Sequence, residues 1–243
     1  MTASLMGFLR TEAERRRVRH AFSRYMSPEL VRRLAEHPGQ LKLGGEMRNM
    51  SLLFADIRGF TRLIERAPAP TVIRLLNEYF TEMIDVIFSH QGTVEQLIGD
   101  EIVALFGVPE GAGDAPRRAV RAAIDMVAAV RELCARWAAG GLPTFDIGIG
   151  ISSGKVMAGT IGSDRRRELI VVGRAMIAAA RIQRMTRLFD AHIIAGEETF
   201  RQVDGLVRYR ELGTPRLKGI KHREALYEIL GYREPVSATL DPV

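Results

Sequence analysis

The chain of 243 residues carries a net charge of +6, is 47% hydrophobic and 26% charged, and has a single cysteine. That length suits one large domain, or one domain with an arm, and the composition is that of a globular protein with enough apolar material for a core. One cysteine excludes an internal disulfide framework and suits the cytosol, no run of 18 apolar residues exists to span a membrane, and the modest charge gives no case for nucleic acid.

The positive charge lies early, with eight Arg against four Glu in residues 1–40. Met1–Leu9 is mildly apolar but runs into charges without a cleavage-type site, so no secretory leader is expected. Residues 5–25 read as a helix through Leu5, Phe8, Leu9, Val18, Phe22 and Tyr25. Its middle, with Arg15, Arg16, Arg17 and Arg19, is either a solvated face or part of a signalling or dimer-forming helix near an anionic partner or membrane surface. Ser27-Pro28-Glu29 starts a second helix that His37-Pro38-Gly39 breaks. We divide the chain into a helical linker, 1–45, a globular domain, 46–232, and a tail, 233–243.

The globular part is organised around Ser51–Thr61. A buried strand ends at Asp56, and Gly59 turns the chain into a short helix reaching Arg66. A carboxylate at a strand end can hold a divalent cation, and free N–H groups of the turn can face phosphate oxygens; a cap or turn role is the plain alternative. Thr71–His90 is amphipathic, with Val72, Leu75, Leu76, Tyr79, Phe80, Met83, Val86 and Ile87 on one side. Thr93–Ile98 and Ile102–Phe106 form a tight hairpin whose tip, Gly99-Asp100-Glu101, is acidic. Asp114–Ala138 is a second long helix and holds Cys134, which reads as a small half-buried residue.

Phe145–Ser153 alternates isoleucine with glycine, predicting a strand with one glycine-rich face. Gly154 is expected to turn it back into Val156–Ile161. A charged arm at Arg165–Glu168, a strand at Leu169–Val172 and a helix at Ala175–Phe189 follow, the helix bearing Arg181, Arg184 and Arg187. A strand at His192–Ala195, a short helix at Glu197–Val203, and strands near Leu206–Leu212 and Ala225–Leu230 complete the domain. The order strand, helix, strand, strand, helix, strand predicts a ferredoxin-like α+β fold with extra strands.

Gly148-Ile149-Gly150 and Gly154-Lys155 are not nucleotide loops, because the first lies inside a strand and the second lacks the required Ser or Thr. Gly44-Gly45-Glu46 precedes the first strand and is set aside. The five His residues have no metal-ligand spacing. Two acids survive, Asp56 and Asp100. If the first strand and the hairpin are neighbours, their carboxylates can face one another and hold one or two Mg²⁺, with substrate phosphates completing the coordination.

These motifs resemble the class III adenylyl and guanylyl cyclase catalytic domain over roughly Met47–Leu230. They are FADIRGFT at 54–61, GD followed by ALFG at 99–107, GIGISSGKVMAGTIGS at 148–163, VVG with AAR at 171–181, and LKGIK at 217–221; the family's upstream linker resembles 22–31. The resemblance implies conversion of a purine nucleoside triphosphate, ATP to cAMP and pyrophosphate in particular, at the interface of a head-to-tail dimer in intracellular signalling. Asp56, Asp100 and the carbonyl of Ile57 would bind two Mg²⁺ or Mn²⁺ ions. The N–H groups of Arg58, Gly59, Phe60 and Thr61 would face the triphosphate. Arg181 of the other subunit would stabilise the transition state, and Lys218 would grip the terminal phosphates.

Three positions depart from the family. Gln96 stands where a lysine reads adenine, Ile170 where Thr or Asp reads the base, and Ile177 where asparagine orients the ribose. Gln96 can pair with either purine; Ile170 and Ile177 cannot hydrogen-bond. The active cyclase therefore has rivals: a pseudo-cyclase that binds nucleotide or pairs with a better-equipped partner, and a pure dimerisation module. The resemblance also implies sensor or membrane segments upstream of such a linker, with the domain itself cytoplasmic.

Overall fold

The computed structural model describes residues 44–107, 114–162, 167–220 and 222–233. The predicted N-terminal helices, the tip of the charged arm and the tail lie outside the described residues. The elements are β1 (Gly44–Arg58), α1 (Phe60–Arg66), α2 (Ala69–Ser89), β2 (Thr93–Ile98), β3 (Glu101–Phe106), α3 (Ala115–Ala139), β4 (Asp146–Gly162), β5 (Arg167–Val172), α4 (Arg174–Leu188), β6 (Ile193–Gly196), α5 (Glu197–Phe200), β7 (Val207–Gly213) and β8 (Leu226–Tyr232).

They build one eight-stranded sheet in the order β2-β3-β1-β4-β6-β8-β7, with β5 paired to β4 off that path. The spatial order β4-β1-β3-β2 within the βαββαβ core is the ferredoxin-like arrangement expected from the sequence. Each central strand alternates between two faces. On one, Leu53, Ala55, Ile57, Ile102, Ala104, Phe106, Ile147, Ile149 and Ile151 form the main core with α2 and α3. The predicted stripe of α2 supplies Leu75, Tyr79, Met83 and Ile87, all fully buried. Pro70 and Pro116 fall in the first turns of α2 and α3, where a missing N–H costs no helical bond. On the other face, Leu52, Phe54, Val103, Leu105 and Val156 pack against Ala175 and Ala179 of α4.

The glycine-rich face of β4 exists to receive α4. A Cβ on Gly150 would lie 2.1 Å from the backbone nitrogen of Gln183, and one on Gly148 would lie 2.2 Å from Oγ1 of Thr186. Without side chains there, the helix backbone lies directly on the strand. Cys134 is half-buried, its Sγ donating to the carbonyl of Phe145 at 3.0 Å, and burial pushes its thiol pKa up, in keeping with a packing role.

One expectation is corrected. Gly154 does not turn the chain: β4 runs unbroken from Asp146 to Gly162 and pairs residue by residue with all of β1, which itself begins at Gly44 rather than near Ser51. Gly154 sits opposite Met50 within that ladder, and a Cβ on it would touch only Cβ of Ala175, at an ordinary 3.5 Å. A glycine in a strand need not mark a turn when the partner strand continues past it.

These clearances separate two glycines that look alike in the sequence. Gly150→Ala should cost about 1–3 kcal/mol through forced displacement of α4, whereas Gly154→Ala should be near neutral. Urea denaturation of the two variants checks this, and equal effects would contradict the packing described.

Candidate active site

Asp56 follows Leu52 and Phe54 on the α4 face of β1, two residues before the strand ends. Its side chain is 18% exposed. Because β1 lies beside β3, the tip of the β2–β3 hairpin carries Asp100 to the same place. The two carboxyl groups are near enough for Asp56 to act on Asp100 by hydrogen bonding as well as by charge, and the backbone N–H groups of Ile57 and of Asp100 itself face the Asp100 carboxyl. Burial first, then the hydrogen bond and the charge of Asp56, push the Asp100 carboxyl up to about 6; the two N–H groups pull the other way. Glu101, next in the chain, is raised by burial and by Asp56 and partly relieved by Arg184. Beneath the pair lies Tyr79, fully buried, its hydroxyl without a hydrogen-bond partner among the described residues and its pKa raised by burial and by both aspartates.

Helix α4 completes this corner. Gln183 donates through Nε2 to the carbonyl of Gly148 at 3.3 Å and, at a long 3.5 Å, to Asp56 Oδ2. Arg187 pairs with the same Oδ2 at 2.6 Å. Arg58 points elsewhere. Its guanidinium reaches Asp190 at 3.2 Å, the carbonyl of Thr186 at 3.2 Å and that of Ala191, clasping the end of β1 to the α4–β6 corner. Gly59 takes φ 73°, the left-handed conformation that lets the chain turn straight into α1. Phe60 packs against the main core, while Thr61 is exposed. Ile57 is fully buried, opposite Ile147.

A second group forms elsewhere. Leu217 and Ile220 anchor the β7–β8 loop in a small core with Ile182 of α4. Ile220 N–H donates to the carbonyl of Leu217 at 3.0 Å and Gly219 has φ 84°, the pattern of a type II turn. The turn leaves Lys218 exposed, and its carbonyl accepts from Nε of Arg181 at 3.2 Å. Ile177, one helical turn before Arg181, is 52% exposed. The structure thus brings Asp56, Ile57 and Asp100 together, and Arg181 and Lys218 together, as two separate groups. Gln96 is exposed on the edge strand β2, just after an irregularity in its pairing between Val94 and Gln96. Ile170 lies on β5 opposite Gly159, whereas Asp56 lies opposite Gly148, so the two are separated by roughly 36 Å of extended strand.

Comparison with known proteins identifies the family of the domain. The family model of the adenylate and guanylate cyclase catalytic domain matches residues 45–231. The chain belongs to that family. An uncharacterised protein of Mycobacterium tuberculosis is 34% identical over 191 residues, covering 77% of this chain and 31% of the relative, and adenylate cyclase 1 of Rhizobium meliloti is 27% identical over 218 residues, covering 90% and 33%. The chain therefore spans about a third of the length of these relatives. Among solved structures, the guanylyl cyclase Cya2 superposes with a TM-score of 0.72 at 33% identity, covering 80% of this chain and 98% of that one. The adenylyl cyclase CyaB from P. aeruginosa gives 0.72 at 28%, covering 79% and 98%.

The cyclase domain's acid pair has the chemistry of a hard-cation site: two neighbouring carboxyl groups, one pushed up to about 6 by burial and then by the other. Among the described residues no cluster of three or more His, Cys, Asp or Glu side chains forms a complete protein cage. Sequence reasoning missed Tyr79, Gln183 and Arg187 as neighbours of Asp56. The alternation of glycine in β4 was the available signal, since it says that a helix must lie there.

The raised Asp100 carboxyl means that the folded chain keeps a proton that the unfolded chain releases, so its contribution to stability falls as pH rises from about 4 to about 6 and is level above. In chelator, Asp100→Asn should gain melting temperature relative to the native chain across that window, and excess Mn²⁺ should remove the advantage at pH 7.5. A difference that does not vary with pH would contradict the assignment.

Proposed function

We propose that this cyclase domain converts a purine nucleoside triphosphate, ATP before GTP, to the cyclic 3′,5′-monophosphate and pyrophosphate. The observation that carries the reading is the contact between Asp56 and Asp100 at the end of β1. Two Mg²⁺ or Mn²⁺ ions held there, with the Ile57 carbonyl, would neutralise the triphosphate and acidify the attacking hydroxyl. The ribose 3′-oxygen forms a bond to the α-phosphorus as the bond to the bridging oxygen of pyrophosphate breaks; the hydroxyl proton passes to solvent. The glycine turn at 58–61 lies beside Asp56 and offers backbone N–H groups to phosphate oxygens.

Arg181 and Lys218 carry charge suited to the transition state and the terminal phosphates. Arg181 lies two turns back along α4 from Arg187, roughly 9 Å in rise, and has its own partner in the Lys218 carbonyl. This arrangement supports a composite site in which one copy supplies the acids and another supplies Arg181 with Lys218 beside it. A head-to-tail pair makes two such sites. Met47, Met157 and Val172 support the pairing: they stand directly opposite one another on β1, β4 and β5, at 59%, 48% and 57% exposure. Residues 1–45 would serve as the linker to whatever precedes the domain, and 233–243 as a tail. Among the described residues no helix is long and apolar enough to cross a membrane; a cytoplasmic place, on its own or attached to a sensor, suits a consumer of nucleoside triphosphate.

A specific observation favours a second reading. Ile177 presents hydrocarbon beside Arg181, where the family's asparagine orients the ribose. A nucleotide-binding or heterodimerising module would tolerate this, and a homodimer would carry the defect twice. The loss of one oriented polar contact costs about 2–4 kcal/mol of transition-state stabilisation.

Purified chain with ATP or GTP and Mn²⁺ should release cyclic product, at least about 100-fold less with Asp56→Asn or Asp100→Asn. Equal mixing of Asp56→Asn and Arg181→Ala chains should restore about one quarter of native turnover, since half the dimers are mixed and each mixed dimer holds one intact site. Ile177→Asn should raise turnover several-fold. Binding without product from either nucleotide would decide for the second reading.

A further inference from the structure

The acid pair already has a cation of its own. Among the described residues, Arg187 is the cationic side chain that forms an ion pair with Asp56, and it makes no other hydrogen bond or ion pair. The remaining charges nearby are committed differently. Arg58 is held by Asp190, Asp146 and two backbone carbonyls, with only 19% of its side chain exposed. Arg184 acts on Glu101. Gln183, the other contact of Asp56, is neutral and buried.

Arg187 is also built to let go. Its side chain is 57% exposed and is tethered at one carboxylate oxygen. An ion pair of that kind contributes little, because solvent screens it and a long side chain must be ordered to make it. Its base is nevertheless fixed: α4 is seated on β4 by Gly148 and Gly150, so the guanidinium can leave Asp56 and return without movement of the helix. A cation on a flexible stem from a rigid base suits a temporary occupant.

We propose that Arg187 is the internal counter-ion of Asp56, occupying the carboxylate when no divalent cation is bound and competing with that cation for it, so that it sets the divalent-ion affinity of the site. This rests on the reading of Asp56 and Asp100 as metal ligands given above. Arg187 is a positioning residue here and is assigned no part in the chemistry. A cation entering the site must break the Arg187 pair before it gains the Asp56 oxygen, and the apparent affinity is reduced by the strength of that pair. Surface pairs of this kind reduce it by up to about fivefold, and the reduction should shrink as salt is raised.

The test is Mn²⁺ binding to the full chain without nucleotide, read from the electron paramagnetic resonance signal of free Mn²⁺. The chains compared are native, Arg187→Gln, Arg187→Lys, Arg184→Gln and Asp56→Asn. The proposal expects Arg187→Gln to bind Mn²⁺ about two- to fivefold more tightly than the native chain at low salt, with the gap closing in high salt. Arg187→Lys should stay near native, Arg184→Gln should change less than Arg187→Gln, and Asp56→Asn should abolish the site. Equal affinity in native and Arg187→Gln, with loss in Asp56→Asn, would overturn the counter-ion role and leave the metal site standing. An equal gain in Arg184→Gln would overturn it too, by showing that any cation on α4 repels the metal. Mn²⁺ binding that is indifferent to Asp56→Asn, or absent from every chain, would overturn the metal reading and this proposal together. A rise in the KM for nucleotide in Arg187→Gln with unchanged Mn²⁺ affinity would overturn it in favour of a phosphate-binding role.

Discussion

The arrangement of the site depends on one contact, the seating of α4 on the bare backbone of β4. At Gly148 and Gly150 no side chain stands between strand and helix. The spacing of a helix over a sheet is set by the side chains that interdigitate between them; here two missing side chains let the helix drop. The consequence is directional. Gln183 and Arg187, on the inner edge of the helix, reach an aspartate 127 and 131 residues earlier in the chain. Arg181, roughly 120° round the helix from Arg187, is left to the β7–β8 turn. A single helix thus has its C-terminal end against the acids and its middle beside Lys218.

Much of this is legible in the amino-acid order, for physical reasons that can be named. The period of two in Phe145–Ser153 and the 3.6 period of Thr71–His90 are imposed by burial on one face, so they survive in the sequence. The acidic tip of the hairpin is legible because Gly99 and Asp100 sit between two apolar runs. Asp56 and Asp100 are legible as strand-end and hairpin-tip acids, whereas Arg181 and Lys218 come from resemblance, and the structure sorts the four into two groups that no spacing along the chain reveals.

What is not legible depends on tertiary placement. Gly154 reads as a turn because local glycine preferences say so; the long partner strand β1 overrides them by offering a full ladder on both sides of it. Arg181, Arg184 and Arg187 share a three-residue spacing, yet they meet a carbonyl, the field of a glutamate and an aspartate respectively, because each step of three residues falls roughly 60° short of a full helical turn. Tyr79 reads as core and is core, but its hydroxyl lies in the field of two acids on the other side of the sheet, a relation that only the strand register discloses.

The clasp made by Arg58 changes how experiments on this domain should be interpreted. Its guanidinium ties β1 to Asp190 and to the carbonyls of Thr186 and Ala191, and so holds the lower end of α4 in place. An arginine in the middle of the signature motif invites assignment to the substrate, and its loss would slow turnover as a lost ligand would. The injury would be mechanical: a slack corner, with the acids and the helix no longer in register. Rate measurements by themselves would credit the residue with a chemical role that its hydrogen bonds give to the scaffold.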